Sequence, residues 1–164
     1  MNKRNVAVAA IVFLAVAAGL VYYMYSPRGA VSRTLGTAHV DQLALHLNEE
    51  SRTIFIVTVP IHNPTRVSVT IESAEVTLLV DGVDYSSRVL QNDPVVVNPG
   101  TTLDLTKLVQ VTGSPVGYQG QGQGQVTYEI GITCNLVGSA ESLGLHAEMN
   151  QVVEETINWT YDIL

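Results

Sequence analysis

Residues 6–23, VAVAAIVFLAVAAGLVYY, make eighteen consecutive positions without a charge. Wound as a helix they extend ~27 Å, close to the hydrocarbon thickness of a bilayer. In lipid only a helix or a closed barrel satisfies its own backbone, so this segment is expected to be a single transmembrane helix. Lys3 and Arg4 precede it, and Tyr22, Tyr23 and Tyr25 close it with an aromatic interface anchor. The basic flank points to a cytoplasmic N-terminus and an extracytoplasmic remainder. A cleaved signal peptide would need a shorter apolar core ending in a small-x-small site. Tyr25-Ser26-Pro27 is a poor one, and Gly36-Thr37-Ala38 lies well past the run. A pilin leader would place a Gly just before the apolar stretch, and no Gly precedes Val6.

The remaining length suits one domain with a real core. The whole chain carries a net charge of -7, and all fifteen acidic side chains follow the apolar run, against six basic ones from Arg28 onward. Phosphate affinity rests on clustered Lys and Arg, so this domain is not expected to bind nucleic acid or to dock on anionic headgroups. One cysteine, Cys134, excludes an intrachain disulfide framework and a cysteine metal cluster.

Downstream the dominant signal is alternation at period two, which places successive side chains on opposite faces of a strand. Val126, Tyr128, Ile130, Ile132, Cys134 and Leu136 form the cleanest stretch and put Cys134 inward. Leu43, Leu45 and Leu47 form a second, and Leu103, Leu105, Val109 and Val111 a third. Residues 53–61 are apolar on both faces, as in a covered strand. Val67, Val69 and Ile71 are odd whereas Val76, Leu78 and Val80 are even, so a bulge or bend is expected near Ser73-Ala74-Glu75. The last strand turns Val153, Ile157, Trp159, Tyr161 and Ile163 one way and Thr156, Asn158, Thr160 and Asp162 the other. Glu155 falls on the apolar parity, marking either a sheet edge or a buried partner for Arg52, Arg66 or Arg88.

Three turns separate these runs. Asn63-Pro64 reverses the chain, the Asn side chain capping its own turn while Pro fixes φ. Asp81-Gly82 between Val80 and Val83 is a type I′ hairpin signal. Asn98-Pro99-Gly100 has type II chemistry. Residues 117–125, alternating Gly and Gln, are expected as a loop. The fold class is therefore all-β: an antiparallel β-sandwich of about seven strands, immunoglobulin/fibronectin-like, behind one N-terminal transmembrane helix. The expected organisation is residues 1–26 as tail and signal anchor, 27–37 as a linker containing Pro27, Gly29 and Gly36, and 38–164 as the sandwich.

No catalytic constellation emerges. His39, His46, His62 and His146 lack metal-ligand spacing. Glu49-Glu50 and Glu154-Glu155 are adjacent pairs whose members diverge, which does not make an acid/base dyad. Cys134 has the apolar neighbours of a core thiol rather than of a nucleophile. Gly120-x-Gly122-x-Gly124 lacks the Lys of a phosphate-cradling loop. Catalytic, cofactor and metal residues are thus expected to be none. Asn158-Trp159-Thr160 matches a glycosylation sequon with Asn158 outward.

The order of an apolar strand running through "VPIH" into Asn63-Pro64, a long bent strand, the "VDG" turn at residues 80–82 and a Pro-Gly turn before a further strand resembles the LEA-2 domain, also called WHy for water stress and hypersensitive response. A short basic tail, one span and one such domain is similar to the plant hairpin-induced-like membrane proteins. The resemblance implies a small β-sandwich with one short helix, placed here at residues 139–145, and a stress-protection or membrane-associated binding role without catalytic residues. The expected function is a non-enzymatic, membrane-tethered extracytoplasmic module whose partners are other membrane or envelope proteins. The alternative is a structural or accessory subunit of a larger membrane complex or surface filament. An apolar ligand between the sheets has no residue pattern to support it.

Overall fold

The structure is a computed structural model and describes residues 3–48, 52–84, 89–91, 93–111 and 124–163. Helix α1 (Lys3–Tyr25) is followed, after Ser26 alone, by helix α2 (Pro27–Leu35). The strands are β1 (Gln42–Asn48), β2 (Arg52–His62), β3 (Val69–Val80), β4 (Val83–Asp84), β5 (Val89–Gln91), β6 (Val95–Val97), β7 (Thr102–Val111), β8 (Gly124–Ser142) and β9 (Leu145–Ile163). They form two antiparallel sheets, one ordered β1-β2-β7 and the other β4-β3-β8-β9, with β5 and β6 also pairing with β3. The all-β class with an N-terminal apolar helix is what the periodicities require.

The core lies between the sheets. Phe55, Val57, Val59 and Ile61 from β2 meet Val76, Leu78 and Val80 from β3 and Ile130, Ile132, Cys134 and Leu136 from β8. Residues 56, 58 and 60 on the opposite face of β2 are half-buried. Pro60 lies beyond the last residue of β2 that pairs with β1, Thr58, so its missing N–H interrupts no β1 ladder. The parity change in β3 is a bulge: Ile71 opposes Gly138 and Ser73 opposes Val137, leaving Glu72 as the extra residue, just before the expected position. The bulge turns Glu72 to accept a hydrogen bond from Ser139 Oγ.

Asp81 (φ 48°) and Gly82 (φ 78°) adopt the expected I′ turn. Asp81 also ties the turn to β8, its N–H donating to Glu129 O at 2.8 Å and its Oδ1 accepting from Glu129 N at 2.9 Å. A side chain at Gly82 would meet open space, so a substitution there is strained by φ alone. Gly82→Val is expected to destabilise by about 1 kcal/mol, measured as a fall in the urea midpoint at unchanged m-value. An unchanged midpoint would show that the turn relaxes to another type at no cost.

Two expectations are corrected. Residues 139–145 are not a helix: β8 runs on to Ser142, Leu143 (φ 54°) and Gly144 (φ 71°) form a tight turn, and β9 returns from Leu145. Small residues 138–140 disguise the strand: Gly138 lies under Leu35 of α2 rather than under a second sheet, and Ser139, on the other face, donates to Glu72. Residues 27–37 are not a linker either. Ser26 accepts from Gly29 N as N-cap, Pro27 takes the first helical position, and Pro27, Ala30, Val31, Thr34 and Leu35 are all buried. The expected Gly/Gln loop lies mostly outside the described residues, apart from Gly124 and Gln125, which open β8.

Candidate functional site

Two of the three turns named from sequence, Asn63-Pro64 and Asn98-Pro99-Gly100, converge on one end of the sandwich, where α2 is plugged in. Asn63 is fully buried and its amide is completely used. Nδ2 donates to Val67 O and Val97 O, both at 2.9 Å. Oδ1 accepts from Thr65 N at 3.0 Å, from Thr65 Oγ1 at 2.7 Å and from Thr34 Oγ1 of α2 at 3.1 Å. With two carbonyls on one side and three donors on the other, the amide has a single satisfactory orientation. Its backbone is held as well, N donating to Thr101 O at 2.9 Å and O accepting from Gly100 N at 2.8 Å.

Those last contacts bring the second turn to the first. Asn98-Pro99-Gly100 closes with Thr101 N donating to Asn98 O at 3.1 Å, and Gly100 has φ 71°, as type II requires. Thr37, after α2, completes the junction: its hydroxyl accepts from His62 N at 2.9 Å. His62 Nδ1 lies 3.1 Å from Thr102 Oγ1. Among the described residues no buried side-chain nitrogen or oxygen lacks a partner. Asn63 and the residues 98–100 therefore meet in one junction, whereas Asp81 and Gly82 sit at the far end of β3. Pro64, Asn98, Pro99 and Asn158 are exposed, Asn158 on the edge strand β9.

Helix α2 is what the sequence reading missed. Leu35 fills the hollow over Gly138, where an added Cβ would approach Leu35 Cδ2 to 3.1 Å. Its signals were local: Ser26-Pro27 as cap and first helical position, Val31 and Leu35 one turn apart, Gly36 at the end. The junction back to α1 is equally tight. Arg33 donates from Nη2 to Tyr23 O at 3.2 Å and from Nε to Gly29 O at 3.0 Å, and its guanidinium stands 4.8 Å from the Tyr23 ring centroid. It thus caps a carbonyl left open at the end of α1 and adds a cation–π contact.

Within α1, residues 8–25 form one apolar stretch long enough to cross a membrane and buried nowhere in the protein. Phe13 is 73% exposed, and Ile11, Leu14 and Tyr23 are exposed on other sides of the helix. Chemistry is not gathered elsewhere: among the described residues no group of three or more His, Cys, Asp or Glu side chains is placed to hold a metal ion. Glu154 and Glu155 are exposed on β9, so Glu155 follows the sheet-edge reading. Cys134 is fully buried in the core.

No family model matches the chain, and no curated protein matches it. Among solved structures it is similar to a crystal structure of a protein from Archaeoglobus fulgidus, at 15% identity and a TM-score of 0.43, over 73% of this chain and 97% of the other. It is also similar to the solution structure of a protein from Arabidopsis thaliana, at 13% identity and a TM-score of 0.46, over 74% of this chain and 80% of the other.

Proposed function

We propose that this chain is a non-enzymatic, membrane-tethered module of the LEA-2/WHy type, held outside the cytoplasm by an N-inside signal anchor and acting on partners at that surface. The observation that carries this reading is the joining of α1, apolar and largely exposed from Val8 to Tyr23, to a domain whose described buried side-chain polar atoms are all paired within it. An apolar helix buried nowhere in its own protein needs lipid to cover it. The Asn63-Pro64 turn supports the LEA-2 part, since the residues that carry the resemblance are those that close the junction. The acidic surface favours a protein partner over anionic headgroups. The long outer edge of β9, which among the described residues pairs only with β8, favours the second reading, a subunit that adds to a neighbour's sheet in a membrane complex.

Washing membranes at alkaline pH is expected to leave the protein in the pellet with Met1 or Asn2 at its N-terminus. Release of a soluble form beginning beyond α1 would refute the anchor. The domain from Ser26 onward is expected to show no hydrolase activity and little salt-sensitive binding to anionic liposomes, while the full-length chain copurifies with other membrane proteins after mild solubilisation. Tight, salt-sensitive liposome binding by that domain would overturn the surface-charge argument.

A further inference from the structure

The β8–β9 hairpin outreaches its sheet. The last residue of β8 paired with β3 is Ser139, yet the ladder with β9 continues through Ala140 opposite Ala147 and Ser142 opposite Leu145. Beyond β3 this arm has α2 against its inner face. Leu35 sits over Gly138, Val31, one helical turn back on the same side of α2, is fully buried, and Ala140, two residues further along β8, is buried. Helix α2 packs mainly on β8 and β9 and little on β2 or β3, and the part of the hairpin nearer the centre of the sheet is already covered by β2, so with Leu35 over Gly138 the geometry sets the rest of the helix on the side towards the tip. Only Ser26 separates α2 from α1.

The tip itself is built against local preference. A two-residue I′ turn favours Asn, Asp or Gly at its first position, and here Leu143 holds φ 54° with 64% of its surface exposed. Leu145, on the inner face of the arm, is 47% exposed. A strained, exposed leucine is the type of outlier from which a contact is inferred. Glu141, facing His146 across the arm, is exposed just behind the tip and limits any insertion to the interface of a membrane that is not strongly anionic.

We propose that the tip, Leu143-Gly144-Leu145, is a second membrane contact that seats its two leucines in the lipid interface beside the exit of α1. The proposal rests on the reading of α1 as a membrane anchor. With α2 fixed in the core and the tip on the lipid, the sandwich stands upright on the membrane instead of swinging on a tether.

The test is spin labelling of the full-length chain in phosphatidylcholine liposomes, with single added cysteines at Leu143→Cys and Leu145→Cys. Phe13→Cys serves as the reference for lipid and Leu108→Cys, exposed on β7, as the reference for water, while buried Cys134 stays unlabelled in the folded protein. The ratio of collision with oxygen to collision with a water-soluble nickel complex is expected to be several-fold higher at 143 and 145 than at 108. Adding Leu143→Asn, which suits the positive φ and so keeps the turn, is expected to return the label at 145 towards the water value. Water-like ratios at 143 and 145 with a lipid-like ratio at 13 would overturn the tip contact and leave the anchor standing. A water-like ratio at 13 as well would remove both, and shielding of 143 from both reagents would replace the lipid with a protein neighbour.

Discussion

Asn63→Ala is expected to destabilise the domain by about 3–5 kcal/mol, the range for breaking a buried polar network. The substitution takes the amide donor from Val97 O and from Val67 O, which keeps only the Thr65 hydroxyl, and takes the shared acceptor from Thr34 and Thr65, all at a fully buried position. Each stranded group costs about 1–3 kcal/mol, against a total stability of about 5–15 kcal/mol for an ordinary domain. Asn63→Asp separates hydrogen bonding from shape. A carboxylate of the same size still accepts from Thr34 and Thr65 but presents negative charge to two carbonyl oxygens. The folded state therefore disfavours the ionised form, raising the pKa of that Asp above its unfolded value. By linkage the Asp variant is less destabilised in acid and loses stability as pH rises through that folded pKa. Urea denaturation of the three proteins at acid and neutral pH checks this. Asn98→Ala, at an exposed turn position, is the control and is expected to cost under about 1 kcal/mol. Equal losses at 63 and 98 would show that the junction is not the centre of this end of the fold.

Removing α2 is expected to be more damaging still. A domain that begins at His39 lacks Ala30, Val31 and Leu35, uncovers Gly138, and deprives Asn63 of the Thr34 hydroxyl. Truncating one buried leucine to alanine costs about 2–5 kcal/mol. Losing three apolar side chains and a buried hydroxyl together is expected to bring a marginally stable domain below the folding threshold. The domain from Ser26 keeps the N-cap and the helix. Amide NMR dispersion and cooperative thermal melting are expected for the Ser26 form and not for the His39 form. A His39 form that melts cooperatively at an unchanged Tm would reduce α2 to an accessory.

The same helix changes the mechanical picture of the molecule. A flexible linker of some ten residues lets a domain roam over roughly 15–20 Å. Here a single residue lies between the apolar helix and a helix buried in the core, and Arg33 binds across the joint to Tyr23. With α1 in a bilayer, as proposed above, the sandwich would be held at a set distance from the membrane.

Much of the architecture was legible along the chain because each strand has one face against the core, and that face writes itself as alternation. Val126 to Leu136 revealed the central strand β8, the odd-to-even change in β3 revealed the bulge at Glu72, and Asp81-Gly82 and Pro99-Gly100 revealed their turn types, since each of these depends on neighbours a few residues away. The hairpin at Leu143-Gly144 was not legible: leucine is a poor residue for positive φ, and the strand leading to it carries small residues where α2 replaces a facing sheet. Trp159 and Tyr161 fall on the expected strand β9, though their side chains lie outside the described residues.

What the sequence determined by itself was the periodic and the local: one lipid-length apolar helix, antiparallel strands with an inward Cys134, and an excess of acidic side chains after that helix. Only the tertiary structure decided that Asn63 reaches past its own turn to Thr34 and Val97, that Leu35 needs glycine at 138, and that a Pro- and Gly-containing segment is a core helix. These are contacts between residues far apart in the chain. Their cause is the filling of space and the pairing of every buried polar group, and no local pattern records which distant residue will supply the missing half.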